Sequence, residues 1–224
     1  MHVWHVDLAR GRCDLRTDFP EILSAGERHR LSRIAQSENR LSYRVAHSTL
    51  WHWLAAYLDI TAHSIRFMPG PHGKPMLPLT MNRRRLSFNL SHSGQRIAIA
   101  ICRHADVGVD VERLRSGVRA RSLAEGFFAP EEQQLLLPCD PHSYRLAFFQ
   151  LWALKEANIK ALGAGLSHRL DRFALDWRSA RPSVTRCDLG KAHSWTLRRF
   201  PPFADYKGAI AVKRCNARIR HFTL

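Results

Sequence analysis

Apolar residues recur at two different spacings along this chain, and the spacing predicts where helices and strands lie. Spacings of three and four residues, which place side chains on one helix face, occur over residues 21–36, 38–58, 117–126, 130–137 and 142–162. Short alternating or continuous apolar runs, typical of strands, occupy residues 2–8, 65–67, 86–90, 97–102, 107–112, 173–177, 183–187, 194–199 and 207–213. Each half runs from helices to strands, which predicts an α+β fold.

The two halves have a similar order of elements, which predicts two similar α+β lobes. We expect residues 1–115 to form the N-terminal lobe and residues 116–224 the C-terminal lobe. Residues 69–75 are rich in glycine and proline and are therefore predicted to form a loop. A turn is expected at Ser91–Gly94, after the strand 86–90.

The composition is that of a globular protein with a large positive charge. Of the 224 residues, 45% are hydrophobic and 24% are charged, and the formal net charge is +16. Such a charge suits nucleic acid, a polyphosphate ligand or an acidic protein. The five cysteines are scattered without a CxxC pair, which predicts free thiols in a reducing compartment. With neither a signal-peptide pattern nor an apolar run of the ~20 residues that span a bilayer, we expect a cytoplasmic protein.

Asp110 and Glu112 are the most informative residues. Strand alternation over residues 107–112 places both on one face. Two neighbouring carboxylates repel each other, which favours a hard cation nearby. Glu156 and Lys160, one helical turn apart, are suited to complete such a site for phosphate chemistry. The alternatives are two exposed acids on an edge strand and an ordinary ion pair on a helix surface.

Three further features have both a functional and a structural interpretation. Ser91 and His92, at a predicted turn, offer a hydroxyl, an imidazole and backbone N–H groups to an anion, or they form an ordinary polar turn. Lys74, between a glycine and a proline, is either a ligand-binding residue or part of a surface loop. Lys155 lies within an apolar helix stripe, so we expect it to pack through its aliphatic stem.

Five motifs, in this order, resemble those of the 4′-phosphopantetheinyl transferases, specifically the longer two-lobed type that acts on many carrier proteins. The motifs are Gly73–Pro75, Phe88–Ser93, Gly108–Glu112, Phe127–Glu132 and Leu151–Leu166. The resemblance implies the fold of that family, with two lobes related by a pseudo-twofold axis and the ligand site between them. It also implies transfer of the phosphopantetheine arm of coenzyme A to a carrier-protein serine, with release of adenosine 3′,5′-bisphosphate.

The resemblance also implies roles for individual residues. Asp110, Glu112 and Glu156 would bind Mg²⁺, or Mn²⁺ in its place, together with the coenzyme A pyrophosphate, and the catalytic residues would be Asp110, Glu156 and Lys160. Lys160 would contact the pyrophosphate. Glu156 would take the serine proton, with a metal-bound group as the alternative. The coenzyme A contacts would come from Arg40, Arg44, Lys74, Pro75, Ser91, His92 and Lys160. Glu132 matches a family acid whose role the sequence does not reveal.

The resemblance gives the positive charge a specific partner. Acidic apo carrier proteins of the acyl, polyketide or peptidyl type, and coenzyme A itself, would be steered by a basic face. We expect the carrier to meet the residues between the lobes and the helix near residues 117–135, and we expect a monomer that acts on neither nucleic acid nor membrane. The competing hypotheses are a nucleic-acid-binding protein and a Mg²⁺-dependent phosphoesterase or nuclease that uses the same three acids.

Overall fold

A computed structural model of the chain describes residues 1–10, 22–165, 169–187, 194–200 and 205–224. The helices are α1 (Ala25–Ser32), α2 (Ser37–Leu58), α3 (Ala120–Phe127), α4 (Pro130–Leu136) and α5 (Pro141–Leu162). The strands are β1 (His2–Asp7), β2 (Met68–Pro69), β3 (Pro75–Met76), β4 (Leu86–Ser93), β5 (Arg96–Arg103), β6 (Val107–Arg113), β7 (Phe173–Asp176), β8 (Ser183–Cys187), β9 (Thr196–Phe200), β10 (Tyr206–Val212) and β11 (Arg220–Thr223).

Two sheets, each covered by one long helix, form the body of the protein. The first sheet has the order β11-β1-β5-β4 and contacts α2, with a core that includes Leu54, Phe88 and Ile99. The second has the order β6-β10-β9, and α5 packs on β6 and β10. Antiparallel β2 and β3 form a small hairpin, as do β7 and β8. The predicted α+β class is confirmed.

Most predicted elements are present, and three predictions are wrong at least in part. The loop predicted at residues 69–75 is shorter than expected, because its two end residues, Pro69 and Pro75, pair with each other in the β2–β3 hairpin. The strand expected at residues 65–67 is absent, because the Ile65 N–H bonds to the Ala62 carbonyl at 3.1 Å and ends a 3₁₀ turn. The turn expected at Ser91–Gly94 begins later, because β4 continues to Ser93 and pairs with β5 throughout. Gly94, with φ of 53°, makes the bend instead.

Two pairs of neighbouring strands cross the predicted lobe boundary. β6 precedes residue 115 and pairs with β10, whereas β11 lies near the C-terminus and pairs in parallel with β1. The boundary at 115/116 therefore stays a prediction. β11 was not predicted, because its Arg-His-Phe-Thr sequence has little apolar alternation. In the residues described above, no helix is both long and apolar enough to span a bilayer.

Candidate active site

Polar side chains of β4 bind the backbone of β6 and join the two sheets at the candidate site. Asn89, Ser91 and Ser93 occupy alternate positions of β4, so they lie on one face. Their side-chain oxygens accept hydrogen bonds from backbone N–H groups of β6 at 2.8, 3.3 and 3.1 Å, respectively. These bonds fix the register of β4 relative to β6, which places Ser91 beside Asp110.

The alternation predicted for β6 is present and gives its two faces different surroundings. Val109 and Val111 are fully or almost fully buried in a cluster with residues of β5 and β10. The other face lies against α5, and Gly108 allows the close approach. A Cβ atom at this position would lie 2.0 Å from the Ala157 carbonyl oxygen and 2.4 Å from the Ala161 nitrogen. The glycine therefore brings the carboxylates of β6 within reach of α5.

We predict that Gly108→Ala destabilises the protein by about 1–3 kcal/mol, or more if α5 resists displacement. The added methyl group meets helix backbone rather than a movable side-chain tip, so α5 has to shift away from β6. Urea denaturation measures the effect. Gly117→Ala is the matched control, because no atom lies within 4 Å of its added Cβ. An unchanged unfolding free energy for Gly108→Ala would contradict the close approach.

Asp110 is the centre of the polar cluster. Its side chain is 3% exposed, and its Oδ1 accepts hydrogen bonds from Lys160 Nζ at 2.5 Å and Ser91 Oγ at 3.0 Å. Lys160 Nζ also donates to Ser91 Oγ at 3.2 Å. Burial alone would lower the pKa of Lys160, but attraction to Asp110 more than offsets this and raises it. Lys160 is therefore a fixed positive charge at neutral pH.

Glu112 and Glu156 add two carboxylates close to this pair. Burial, followed by repulsion from Asp110, raises the pKa of Glu112 to about 7. Burial is likewise the main cause that raises the pKa of Glu156, again with a contribution from Asp110. Ser93 donates a 3.4 Å hydrogen bond to Glu112. The protein's own cations therefore leave part of this negative charge uncompensated.

The side chains of the described residues do not form a complete metal site by themselves. Among them, no three histidine, cysteine, aspartate or glutamate side chains converge to hold an ion. However, the second carboxylate oxygen of Asp110, Oδ2, is buried without a hydrogen-bond partner. Such an atom costs free energy unless a cation or donor reaches it. Mg²⁺ normally takes one or two carboxylates plus phosphate oxygens, so this donor set fits Mg²⁺ bound jointly with a phosphate ligand.

His92 lies on β4 beside this cluster and next to α2. Its Nδ1 is 3.3 Å from Ser42 Oγ, and its ring meets Tyr43 edge to face at 6.2 Å. Burial, followed by repulsion from His47 and Lys160, lowers the pKa of His92 to about 4. The imidazole is therefore neutral at pH 7 in the free protein.

The four remaining predicted ligand residues lie outside the hydrogen-bonded cluster. Arg40 donates to the Ile34 carbonyl at 2.7 and 3.1 Å, and Arg44 is exposed on α2. Lys74 donates to the carbonyls of Val107 and Ala161 at 3.0 and 3.3 Å, and burial lowers its pKa to about 8. Pro75 is exposed in β3. Their assignment as coenzyme A ligands stays a prediction.

Lys155 and Glu132 form a buried ion pair on the opposite side of α5. Lys155 Nζ donates to both Glu132 carboxylate oxygens at 2.8 and 2.7 Å and to the Phe173 carbonyl at 2.8 Å. Glu132 also accepts backbone hydrogen bonds from Leu175 and Ala129 at 2.9 and 3.0 Å. The role of Glu132, which the sequence did not reveal, is thus to connect α4, α5 and β7.

A second polar group beside His92 was missed by sequence reasoning. Glu27 accepts hydrogen bonds from His47 at 2.8 Å and from Trp51 at 3.1 Å, and His47 stacks on Tyr43 at 4.0 Å. Burial would raise the pKa of Glu27, but hydrogen bonds from His47 and Ser24 lower it to about 2. The sequence signal was the Ser24–Glu27 capping box; the twenty-residue separation from His47 concealed the rest.

Comparisons with known proteins cover most of the chain. Residues 106–211 match the family model described as the 4′-phosphopantetheinyl transferase superfamily. Residues 16–104 match the model described as 4′-phosphopantetheinyl transferase, N-terminal. The two matches adjoin each other and together include every residue of the cluster around Asp110.

Individual relatives carry the same description. The 4′-phosphopantetheinyl transferase HetI of Nostoc sp. is 30% identical over 212 residues, which cover 95% of this chain and 87% of that protein. The 4′-phosphopantetheinyl transferase Sfp of Bacillus subtilis is 27% identical over 79% of this chain and 75% of its own length. A solved structure, the holo-[acyl-carrier-protein] synthase of Thermotoga maritima, is similar over 50% of this chain and 64% of its own, at 24% identity and a TM-score of 0.42.

Proposed function

The chain belongs to the 4′-phosphopantetheinyl transferase family and is a 4′-phosphopantetheinyl transferase, and we propose that it transfers the phosphopantetheine arm of coenzyme A to a serine of an apo carrier protein with Mg²⁺. The products would be holo-carrier protein and adenosine 3′,5′-bisphosphate. The observation that best supports this reaction is the buried Asp110–Lys160–Ser91 cluster with Glu112 and Glu156 beside it.

We assign Mg²⁺ binding to Asp110, Glu112 and Glu156 together with the pyrophosphate of coenzyme A. The partnerless oxygen of Asp110 and the raised pKa values of Glu112 and Glu156 support this assignment. When bound, the metal would offset negative charge that develops on the leaving bisphosphate. Mn²⁺ satisfies the same oxygen ligands.

Lys160 is proposed to bind the pyrophosphate, and Glu156 is proposed to accept the proton of the carrier serine. The ammonium of Lys160 is held by Asp110 and Ser91, so it is pre-oriented to bind a pyrophosphate oxygen. Glu156 would accept the proton of the carrier serine. Its raised pKa supports this role, because a base is most effective when its pKa approaches the operating pH.

Ser91 and His92 are proposed to bind the phosphates of coenzyme A. A neutral His92 can donate one hydrogen bond, and an incoming phosphate dianion would raise its pKa by attraction. For Arg40, Arg44, Lys74 and Pro75 we keep the coenzyme A role as a proposal. Acidic apo carrier proteins remain the proposed partners, approached by a monomer in the cytoplasm, because the net charge of +16 favours an acidic partner.

The affinity for Mg²⁺ in the presence of coenzyme A should fall as the pH decreases through 7. Glu112, with a pKa of about 7, binds a proton below that pH, and the metal competes with the proton for the same carboxylate. Each pH unit below 7 should weaken binding up to about tenfold. Calorimetric titration of Mg²⁺ between about pH 6 and pH 8 measures the slope. Glu112→Gln should bind more weakly and without this slope, whereas an equal slope would assign the titration to another group.

The activity itself is tested by mass spectrometry of apo carrier proteins incubated with the enzyme, coenzyme A and Mg²⁺. Acyl, polyketide and peptidyl carriers should be tried in parallel. We expect the phosphopantetheine mass increment on at least one carrier, at its modified serine. Unmodified carriers in every reaction, together with cleavage of simple phosphate esters or salt-sensitive DNA binding, would favour the competing functions.

A further inference from the structure

An arginine-rich cleft lies at the far end of β5 from the proposed active site. It has a volume of about 660 Å³ and is formed by the start of β1, the end of β5 and the segment that follows β10. Strand pairing places Ser91 opposite Ala98, and Arg103 follows five residues later, so the cleft begins roughly 17 Å from Ser91. None of the mechanism proposed above uses this cleft.

The charged side chains among the described residues that line the cleft are positive. Arg103, Arg214 and Arg218 line it, and no aspartate or glutamate is among its described lining residues. In the described part of the chain, none of the three guanidinium groups has an acidic side chain within 4 Å. Like charges held close together oppose folding. An anionic ligand would relieve that repulsion.

The pKa of a histidine in the cleft is affected by the same positive charges. His2 lines the cleft, and burial, followed by nearby positive charges that include Arg103 and Arg220, lowers its pKa. Its Nδ1 contacts the Tyr57 hydroxyl, which also accepts a 3.3 Å hydrogen bond from Trp4. The histidine and tyrosine rings are therefore fixed at the edge of the cleft.

The cleft also has an apolar part, which narrows the class of anion. The partly exposed apolar residues that line it are Met1, Tyr57 and Ala217, because Leu86, Ile101 and Cys102 are only 2–6% exposed. Small-ligand sites typically occupy about 300–1,000 Å³ and combine apolar lining with a few placed polar groups. Guanidinium groups are suited to bind phosphate oxygens in bidentate geometry. An apolar ring joined to a phosphate group satisfies both parts of the lining.

We propose that this cleft binds a nucleoside phosphate at a second site, separate from the site proposed for coenzyme A. The phosphates would lie against Arg103, Arg214 and Arg218, and the base against the apolar lining next to Tyr57. The volume of about 660 Å³ lies within the range of small-ligand sites, so a small molecule fits the cleft better than an acidic protein, which would need a longer surface. The inference stands independently of the proposed function.

Calorimetric titration of the full chain with ADP tests the proposal, with saturating coenzyme A and Mg²⁺ present to fill the other site. We expect saturable binding that weakens as NaCl rises from about 0.05 M to about 0.5 M. The double variant Arg214→Glu/Arg218→Glu should bind ADP at least about tenfold more weakly. The matched control, Arg178→Glu/Arg181→Glu, makes the same charge change at exposed arginines elsewhere and should bind ADP as the unaltered protein does.

Several results would overturn the proposal. They are absence of saturable ADP binding, equal loss in both double variants, and equal affinity for inorganic pyrophosphate, which would leave the apolar lining without a role. Displacement of ADP by polyglutamate at low concentration would assign the cleft to an acidic protein instead. Because all four substituted arginines are exposed, the variants should fold, and circular dichroism checks this. Failure of carrier modification would leave these outcomes unaffected.

Discussion

Asp110→Asn should reduce phosphopantetheine transfer by about 10²–10³-fold or more, without unfolding the protein. The substitution keeps the shape of the side chain and removes the charge that holds Lys160 Nζ at 2.5 Å. It also removes one anionic ligand from the proposed metal site. The decrease should appear in kcat, because the lost interactions act on charge that develops during transfer. Steady-state kinetics with coenzyme A and an apo carrier measure it.

Two further variants separate a catalytic role for Asp110 from a structural one. Lys160 has 29% of its side chain exposed, so its ammonium can turn to water when Asp110 loses its charge. The unfolding free energy of Asp110→Asn should therefore fall by only about 1–3 kcal/mol. Asp110→Asn/Lys160→Met should regain stability and stay inactive. Asp106→Asn, immediately before the same strand, should stay active; equal loss there would point to a general effect of charge.

Glu132→Gln should lower the unfolding free energy by about 3–5 kcal/mol, the largest loss of stability that we expect from a single substitution. It would leave the fully buried ammonium of Lys155 without its counter-charge. Burial lowers the pKa of Lys155 and raises that of Glu132, and their mutual attraction is the main effect that opposes this. Urea denaturation at neutral pH measures the loss.

The neighbouring residue supplies the control for Glu132. Glu131 pairs with Arg186 at 2.9 Å, but both side chains are about half exposed, at 49% and 48%. Glu131→Gln should therefore cost at most about 1 kcal/mol. Glu132→Gln/Lys155→Met should recover much of the loss, because both buried charges are then absent. Similar costs for Glu131→Gln and Glu132→Gln would contradict the assignment of a buried pair.

The sequence predicted local features of the site well, because local periodicity determines them. Alternation in β6 placed Asp110 and Glu112 on one face, and helical spacing placed Glu156 and Lys160 on one side of α5. Which element they would face depended on Gly108, whose missing side chain lets α5 approach. The close approach of a helix to a strand produces no periodic pattern in the sequence of either element, so the sequence did not predict it.

Features that depend on distant pairing were not predictable in this way. Glu132 and Lys155 are 23 residues apart, and nothing local distinguishes them from surface charges. Lys74 was identified as a loop residue, yet its ammonium binds backbone carbonyls on β6 and α5, which carry no side-chain signal. The motif that contains Ser91 was recognised, but its position within a strand rather than a turn depended on pairing with β5.

The proposed reaction is tested most directly by measuring two products in one sample. Apo carrier protein, coenzyme A, Mg²⁺ and enzyme are incubated together, and adenosine 3′,5′-bisphosphate is quantified by chromatography while modified carrier is quantified by mass spectrometry. We expect the two products in equal amounts, and neither after Mg²⁺ is removed by EDTA. Bisphosphate release without carrier modification, or carrier modification that persists in EDTA, would contradict Mg²⁺-dependent transfer by this site.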